Sequence, residues 1–327
     1  ADLGFNIIRV PVHARLVDQW RQGGNPMPQS ITTTGGINDY LDGASSLEIL
    51  DTAIDYCGEI GLKILFDMHS IDPHGYMDEG VWYLDDFPTS RFIACWEFLA
   101  DRYKHTDVVV AMDLTNEPHD GNSGSAIWDG SHAENNFRAA AEEIGSAILA
   151  INPHLLILVE GIQTVVDPDT THISVKLGVD VPDWWDLTYH GTWWGGNLMG
   201  VRDYPVNLGS NQDQLVYSPH DYGPSVYAQP WFQGDFDRST MDTVWEHFWL
   251  FIYNDNIAPL LIGEWGGKLD GDNTKWMGYL VDLIEEKWIS HTFWCLNPNS
   301  GDTGGILDHS WSSVDTAKYN FIESTLW

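Results

Sequence analysis

The 327-residue sequence predicts an α/β protein that folds as a (β/α)8 TIM barrel whose first strand is missing from this chain. Short segments that are almost continuously apolar recur along the chain, as is typical of parallel strands buried on both faces. Segments with helical spacing lie between them, and this alternation predicts a parallel sheet with right-handed crossovers. No repeat or linker divides the chain, so we expect one domain over residues 1–327.

The predicted strands number seven, one fewer than a closed barrel needs. They cover residues 6–12, 62–69, 108–118, 155–161, 215–222, 258–265 and 291–298. The chain opens with "ADLGFNIIRVPV", which is typical of the interior of a domain, and we therefore expect the absent strand to be the first. Its absence would leave a gap beside "NIIRVPV" and expose unpaired strand edges. A doubly wound sheet is the alternative, but no G-x-G-x-x-G motif follows the first predicted strand.

Stripes of apolar residues at helical spacing predict helices between the strands. They cover residues 47–57, 93–103, 137–151, 240–253 and 275–288. Gly61 is a plausible stop for the first helix, and Pro153 ends the third.

The balance of charges is strongly acidic, with 15 Lys and Arg against 48 Asp and Glu and a net charge of −33. Such a surface repels nucleic acid and anionic membranes, so we expect neither as a partner. No apolar run is long enough to span a bilayer. Two explanations of the charge remain open, namely solubility and adaptation to high salt or acid.

The three cysteines, Cys57, Cys95 and Cys295, lie far apart, and no C-x-x-C motif occurs. This spacing argues against a zinc site or a redox pair and predicts free buried thiols. We expect no metal and no organic cofactor.

Polar or indole side chains lie at the ends of six predicted strands, where a parallel barrel carries its chemistry. They are Arg9, His69, Asn116, Glu117, His220, Tyr222, Glu264 and Trp294. The remaining strand ends at Glu160, which we interpret as structural. A salt bridge, a cap or a place in the core explains any one of these residues, but not the convergence of the whole set on one face.

The strands that end at Glu117 and Glu264 lie on opposite sides of the predicted barrel, so both carboxylates can reach its mouth. Glycoside hydrolysis needs such a pair, one as proton donor and one ionised. Like-charge proximity separates their pKa values and so assigns the roles. A cation at Arg9 needs a partner, and beside Glu264 it would keep that carboxylate ionised. The 17 tryptophans include pairs in polar loops, which suit sugar rings.

Four motifs, "GFNIIRVPV", "LTNEPHD", "VYSPHDYG" and "IGEWGG", resemble glycoside hydrolase family 5 over nearly the whole chain. The segments "FWCLNPNSGDTGGIL" and "WWGGNLMG" resemble its endo-β-1,4-glucanase (cellulase) branch. The resemblance implies a secreted, monomeric, retaining enzyme that acts on β-glucan. Segment 164–190 looks like an insertion, which either extends one end of the cleft or decorates its rim.

The resemblance also implies a role for each site residue. It makes Glu117 the acid/base and Glu264 the nucleophile, the latter held by Arg9 and Tyr222. The other implied substrate-binding residues are Asn116 at the 2-hydroxyl, His69 and His220 in the same subsite, Trp294 as its stacking floor, and Trp193, Trp194 and Trp82 along the cleft. A mannanase or xylanase of the same family is the first alternative, and a non-catalytic glycan-binding barrel is the second.

Overall fold

The computed structural model describes residues 1–28, 31, 36–73 and 78–326. Parallel strands form the wall of its barrel. In chain order they are β1 (Ile7–His13), β2 (Lys63–Ser70), β3 (Val109–Asp113), β4 (Leu156–Val159), β5 (Leu215–Tyr217), β6 (Leu261–Trp265) and β7 (Ser290–Phe293). All seven predicted strands are present, and the predicted (β/α)8 barrel class is confirmed.

The strands follow one another around the barrel in chain order. β1 to β5 form one parallel sheet, and β6 pairs in parallel with β7. Isolated parallel bridges, Tyr217 with Leu260 and His220 with Glu264, join β5 to β6. Within the described ranges, no hydrogen-bonded ladder joins β7 to β1, although these two strands are neighbours.

Helices connect the strands and cover the outside of the barrel. They are α1 (Ala14–Arg21), α2 (Ser46–Glu59), α3 (Thr89–Tyr103), α4 (Phe137–Ile151), α5 (Ile173–Leu177), α6 (Arg238–Trp245), α7 (Phe251–Asn254), α8 (Gly271–Lys287) and α9 (Thr316–Ile322). A π-helical turn, Glu246–Leu250, joins α6 to α7. Each predicted helix is present, and α1, α5 and α9 are additional.

Shorter elements decorate the barrel. Two antiparallel pairs form, Asp120–Gly121 with Gly124–Ser125 and Thr164–Val166 with Tyr189–Gly191. The 3-10 turns are Asp39–Leu41, Met199–Arg202, Gly209–Gln214, Pro230–Phe232 and Glu323–Thr325. The second antiparallel pair closes a segment that contains α5, residues 164–191, which we call the cleft arm.

The barrel interior is built in layers, because side chains two residues apart on a strand share a face. An apolar layer takes one buried residue from each of four neighbouring strands: Leu65, Ala111, Leu158 and Val216. Two positions further along the same chain segments come buried polar residues: Asp67, Asp113, Glu160 and Ser218. The barrel therefore carries a polar layer immediately above an apolar floor, on the side where the strands end.

The cysteines and the helices agree with two further expectations. Cys57, Cys95 and Cys295 are all buried and free, as predicted. Among the residues that the structure describes, no helix combines the length and the apolar character needed to cross a bilayer.

Candidate active site

Glu117 sits on an abrupt turn just after β3. Its backbone has a φ of 51°, a left-handed conformation that is costly for a residue with a side chain. The turn is stabilised on both sides. The Asn116 N–H donates to the Met68 carbonyl oxygen at 3.0 Å, and the Glu117 N–H donates to Glu160 Oε2 at 2.7 Å. A buried carboxylate from the end of β4 thus fixes the backbone that presents the Glu117 side chain to the cleft.

Glu264, on β6, faces Glu117 and is held by two donors. Arg9 Nη1 donates to Glu264 Oε1 at 2.5 Å, and the Tyr222 hydroxyl donates to Oε2 at 2.6 Å. Both contacts favour the ionised carboxylate. One carboxyl oxygen of Glu117 and one of Glu264 lie within 4.8 Å of each other. This spacing suits a retaining glycosidase, in which the two carboxyl groups are about 5–5.5 Å apart.

The pKa of Glu117 fits it for proton donation. Burial raises this pKa to about 7, and the charge of Glu264 adds to the rise, whereas the hydrogen bond with His220 opposes it. His220 Nδ1 lies 2.9 Å from Glu117 Oε1. Glu117 is therefore suited to hold a proton below about pH 7. The two carboxyl groups are separated in role by their surroundings.

The pKa of Glu117 predicts the alkaline side of the pH profile. As pH rises through about 7, Glu117 loses its proton, and we expect kcat/KM for soluble cellulose to fall with a midpoint there. A dinitrophenyl cellobioside needs no protonation of its leaving group, so its kcat/KM is expected to stay level across this range. Parallel pH–rate profiles measure both. Identical alkaline falls for the two substrates would contradict the assignment of Glu117 as the acid.

Arg9 organises the polar layer beneath the cleft. Its side chain is only 4% exposed, and its guanidinium contacts three carboxylates besides Glu264. The distances are 3.1 Å from Nη1 to Asp67 Oδ2, 3.0 Å from Nε to Asp113 Oδ2 and 3.0 Å from Nη2 to Glu160 Oε1. Nη2 also donates to Asn116 Oδ1 at 2.9 Å, which fixes the orientation of that amide.

The carboxyl groups around Arg9 divide into two kinds. Burial, with the neighbouring negative charges, raises the pKa of Asp113 and of Glu160 well above the ordinary range. Burial also opposes the ionisation of Asp67, but Arg9 and His69 outweigh it, so the pKa of Asp67 is lowered. The surroundings therefore favour the protonated form of Asp113 and of Glu160 and the ionised form of Asp67.

Aromatic and imidazole rings line the cleft around Glu117 and Glu264. The ring of Trp294 stacks on that of His69, with centroids 5.5 Å apart and planes 3° from parallel. His69 Nδ1 lies 2.7 Å from Asp67 Oδ2, which holds the imidazole in place. Trp194 stacks on His119 at 3.7 Å between centroids. Both indoles are thus supported from behind by a histidine.

The remaining predicted tryptophans differ in their surroundings. Trp193 lines the cleft but is only 7% exposed, because it packs against Trp231 and Phe232. Trp82 is 1% exposed and packs against Phe137 in the core. The prediction that Trp82 lines the cleft is therefore wrong. Its aromatic neighbours in the folded chain bury it completely, and sequence position alone does not reveal them.

The glycines of "WWGGN" allow the cleft wall to approach Glu117 and Glu160. A Cβ atom at Gly195 would lie 2.5 Å from Glu160 Oε2 and 3.3 Å from Glu117 Cγ, and the residue has a φ of +70°. The Gly195 carbonyl accepts hydrogen bonds from the N–H groups of Gly161 and His220. A side chain at Gly195 would displace the carboxylate that fixes Glu117.

Sequence reasoning missed several residues of this site. Asp67 and Asp113 lie inside the predicted strands 62–69 and 108–118, and their signal is a carboxylate in an otherwise apolar run. Glu160 was interpreted as structural, and it is buried, yet it contacts the backbone of Glu117 directly. His119 is part of the "NEPH" sequence, and its role in supporting Trp194 depends on a contact between distant segments.

These residues open into one large cleft with a volume of about 1110 Å³. The cleft exceeds the range of about 300–1,000 Å³ that is typical of small-molecule sites. Its lining includes Glu117, Glu264, Asn116, His69, Tyr222, Trp193, Trp194 and Trp294. The cleft arm forms part of its wall.

Comparison with known sequences agrees with this geometry. The family profile "Cellulase (glycosyl hydrolase family 5)" matches residues 1–300. Endoglucanase G of Acetivibrio thermocellus is 42% identical over 362 aligned residues, which cover all of this chain and 62% of that protein. Endoglucanase B of the same organism is 38% identical, over all of this chain and 63% of that protein. The chain thus spans about three fifths of the length of these relatives.

Solved structures show the same architecture. An endocellulase variant from Pyrococcus horikoshii in complex with cellotetraose superposes with a TM-score of 0.85 at 35% identity, covering 100% of this chain and 84% of that one. The catalytic domain of the major endoglucanase of Xanthomonas campestris has a TM-score of 0.83 at 32% identity, covering 99% and 85%. From the matched profile, the full-length relatives and the shared barrel, we conclude that this chain belongs to glycoside hydrolase family 5, the cellulase family.

Proposed function

We propose that this chain is the catalytic part of a retaining endo-β-1,4-glucanase that hydrolyses cellulose or a related β-glucan. The observation that carries the proposal is the pair of facing carboxyl groups, with Glu264 held by two donors and Glu117 raised in pKa to about 7. This is the division of labour that glycoside hydrolysis by double displacement requires.

In the first step, Glu264 attacks the anomeric carbon while Glu117 gives its proton to the departing glycosidic oxygen. The bond from the anomeric carbon to the leaving sugar breaks as the bond to Glu264 forms. As Glu264 loses its charge to the new ester, Glu117 becomes a carboxylate. His220, at 2.9 Å from Glu117 Oε1, stabilises that carboxylate.

In the second step, Glu117 accepts a proton from a water molecule, which attacks the anomeric carbon and releases Glu264. Two inversions leave the β configuration unchanged. Arg9 and Tyr222 stabilise the departing carboxylate through the same two contacts that orient it for attack. Asn116, whose amide Arg9 orients, is positioned to bind the 2-hydroxyl of the sugar at the cleavage point.

The proposed substrate rests on the cleft and on the relatives. Rings such as Trp194 and Trp294 offer flat apolar faces, and the relatives at 42% and 38% identity are named endoglucanases. We expect no nucleic acid or membrane partner from this acidic chain, and we propose that it acts as a monomer. One relative, from Xanthomonas campestris, is named a major extracellular endoglucanase, and we propose secretion for this protein also.

One experiment tests both the substrate class and the stereochemistry. The protein is assayed on soluble cellulose, mannan and xylan derivatives side by side, and NMR follows the anomer first released from cello-oligosaccharides. We expect reducing ends chiefly from cellulose, with the β anomer formed first. Preference for mannan or xylan would favour those activities instead. Binding without release of reducing ends from any of the three would indicate a non-catalytic glycan-binding barrel.

A further inference from the structure

The cleft arm contributes a wall of exposed rings to the same cleft that contains Glu117 and Glu264. Trp184 is 81% exposed, Tyr189 54% and Trp185 37%. The rings of Trp184 and Trp185 lie edge to face, with centroids 6.4 Å apart. By comparison, Trp193 is almost fully packed. Large apolar faces left open beside a concave polar cleft mark a binding surface rather than a core.

A second segment brings another exposed ring to this cleft. Tyr227 is 65% exposed and lies in the loop that follows β5, which contributes Val226, Gln229 and Gln233 to the lining as well. Polar side chains of the arm and its base, Asp186 and Gln163, stand among these aromatic residues. Flat aromatic faces can stack on the apolar face of a pyranose ring, and the hydrogen-bonding groups can bind the hydroxyls at its edge.

The arm is anchored to the barrel by a directed chain of hydrogen bonds. Lys176 Nζ can only donate, so His247 Nδ1 accepts its hydrogen bond at 3.0 Å. His247 Nε2 then carries a proton and donates it to His190 Nδ1 at 3.2 Å. His190 Nε2 donates in turn to the Asp167 carbonyl oxygen at 3.1 Å.

These hydrogen bonds tie three residues of the arm to one buried turn of the barrel. Lys176, His190 and Asp167 belong to the arm, whereas His247 lies in the π-helical turn Glu246–Leu250. With both histidines neutral, each of the three hydrogen bonds has one donor and one acceptor, and this fixes the direction of all three. The surroundings favour that state, since burial and the positive charge of Lys176 lower the pKa of His247 to about 2. The base of the arm is therefore tied to the barrel through Lys176, His190 and Asp167.

We propose that Trp184 and Trp185 form a sugar-binding platform at a distance from the cleavage point, which makes the enzyme select longer glucan chains. This inference rests on the proposed β-glucan hydrolysis and adds to it the residues that determine chain length. Because the base of the arm is fixed to the barrel, less ordering free energy is lost when a distal sugar unit stacks on it than on a free loop. Short oligosaccharides that occupy only the cleavage point gain nothing from the platform.

The test compares a Trp184→Ala/Trp185→Ala variant with the parent on cellohexaose and on cellotriose. We expect kcat/KM for cellohexaose to fall by about tenfold, as the loss of one to two aromatic contacts implies, and kcat/KM for cellotriose to change by less than about twofold. Tyr56→Ala is the matched control, because Tyr56 is 59% exposed on α2 and does not line the cleft. It should leave both values unchanged.

Equal losses on the two substrates, or no loss on either, would overturn the platform. Calorimetric titration of the same variants with the two oligosaccharides separates this failure from a failure of the proposed function. If the parent cleaves neither oligosaccharide but binds cellohexaose more tightly than the double variant does, the platform stands and the hydrolase proposal fails. If the parent cleaves both and binds cellohexaose no better than the variant, the platform fails alone.

Discussion

Replacement of Glu264 by glutamine is expected to lower turnover of soluble cellulose by about 10⁴-fold or more, because an amide cannot form the glycosyl ester. The change keeps the shape of the side chain. Arg9 also retains its contacts with Asp67, Asp113 and Glu160, so the fold is expected to persist. Release of reducing ends measures the loss, and thermal unfolding checks the fold.

Glu97→Gln provides the matched control. Glu97 is exposed on α3, away from the cleft, and its replacement removes the same single negative charge. It should retain full activity. A Glu264→Ala variant gives a stereochemical check. Azide can enter the space left by the carboxylate and attack an activated β-cellobioside from the opposite face, so the product is the α-glycosyl azide. Retention of a tenth or more of parental turnover by Glu264→Gln would refute the assigned nucleophile.

Replacement of Glu117 by alanine is expected to separate the two chemical steps. Turnover of cellulose should fall by about 10²–10⁴-fold, the contribution typical of a general acid or base. With a dinitrophenyl cellobioside, whose leaving group needs no proton, the glycosyl ester still forms. Its hydrolysis then becomes slow, because no base activates water. A burst of dinitrophenol followed by a slow steady state is the expected observation.

Azide distinguishes this variant from the nucleophile variant. Azide needs no base, so it should accelerate the slow phase of Glu117→Ala and yield the β-glycosyl azide, in contrast to the α product expected for Glu264→Ala. The opposite pairing of products and variants would exchange the two roles. If azide accelerated neither variant, while both retained the unfolding temperature of the parent, the result would contradict the assignment of the two roles.

The barrel class could be predicted because a parallel strand buried on both faces leaves a nearly continuous apolar run. The predicted strands run past the observed ends, for example to residue 118 where β3 ends at Asp113. Beyond Asp113 the chain stays buried but no longer pairs as a strand. A sequence pattern of apolar residues does not distinguish a buried strand from a buried irregular segment. Helix α1 was missed because its cap is unusual. His13 Nδ1 accepts from the Leu16 N–H, where a serine, threonine or aspartate is the expected signal.

The meeting of Glu117 and Glu264 in one cleft could be predicted because topology converts strand ends into neighbours. Glu117 and Glu264 are 147 residues apart in the chain (264 minus 117) and still share one cleft. Residues whose roles depend on packing between distant segments could not be predicted. Trp82 and Trp184 look alike in sequence, each followed by another aromatic residue, yet one is 1% exposed and the other 81%. Only the folded chain shows which indole other rings cover.

Arg9, which lies beneath the cleft, bears on how the folded chain tolerates alkali. Asp113 and Glu160 bind protons more tightly in the folded chain than in the unfolded one. Their contribution to folding stability is complete in acid, below their unfolded pKa values, and is lost as pH rises through the folded values. In strong base, the barrel would have to bury two more negative charges with no added cation. Alkali is therefore expected to destabilise the folded chain through these two acids, because one arginine contacts all four of the carboxyl groups around it.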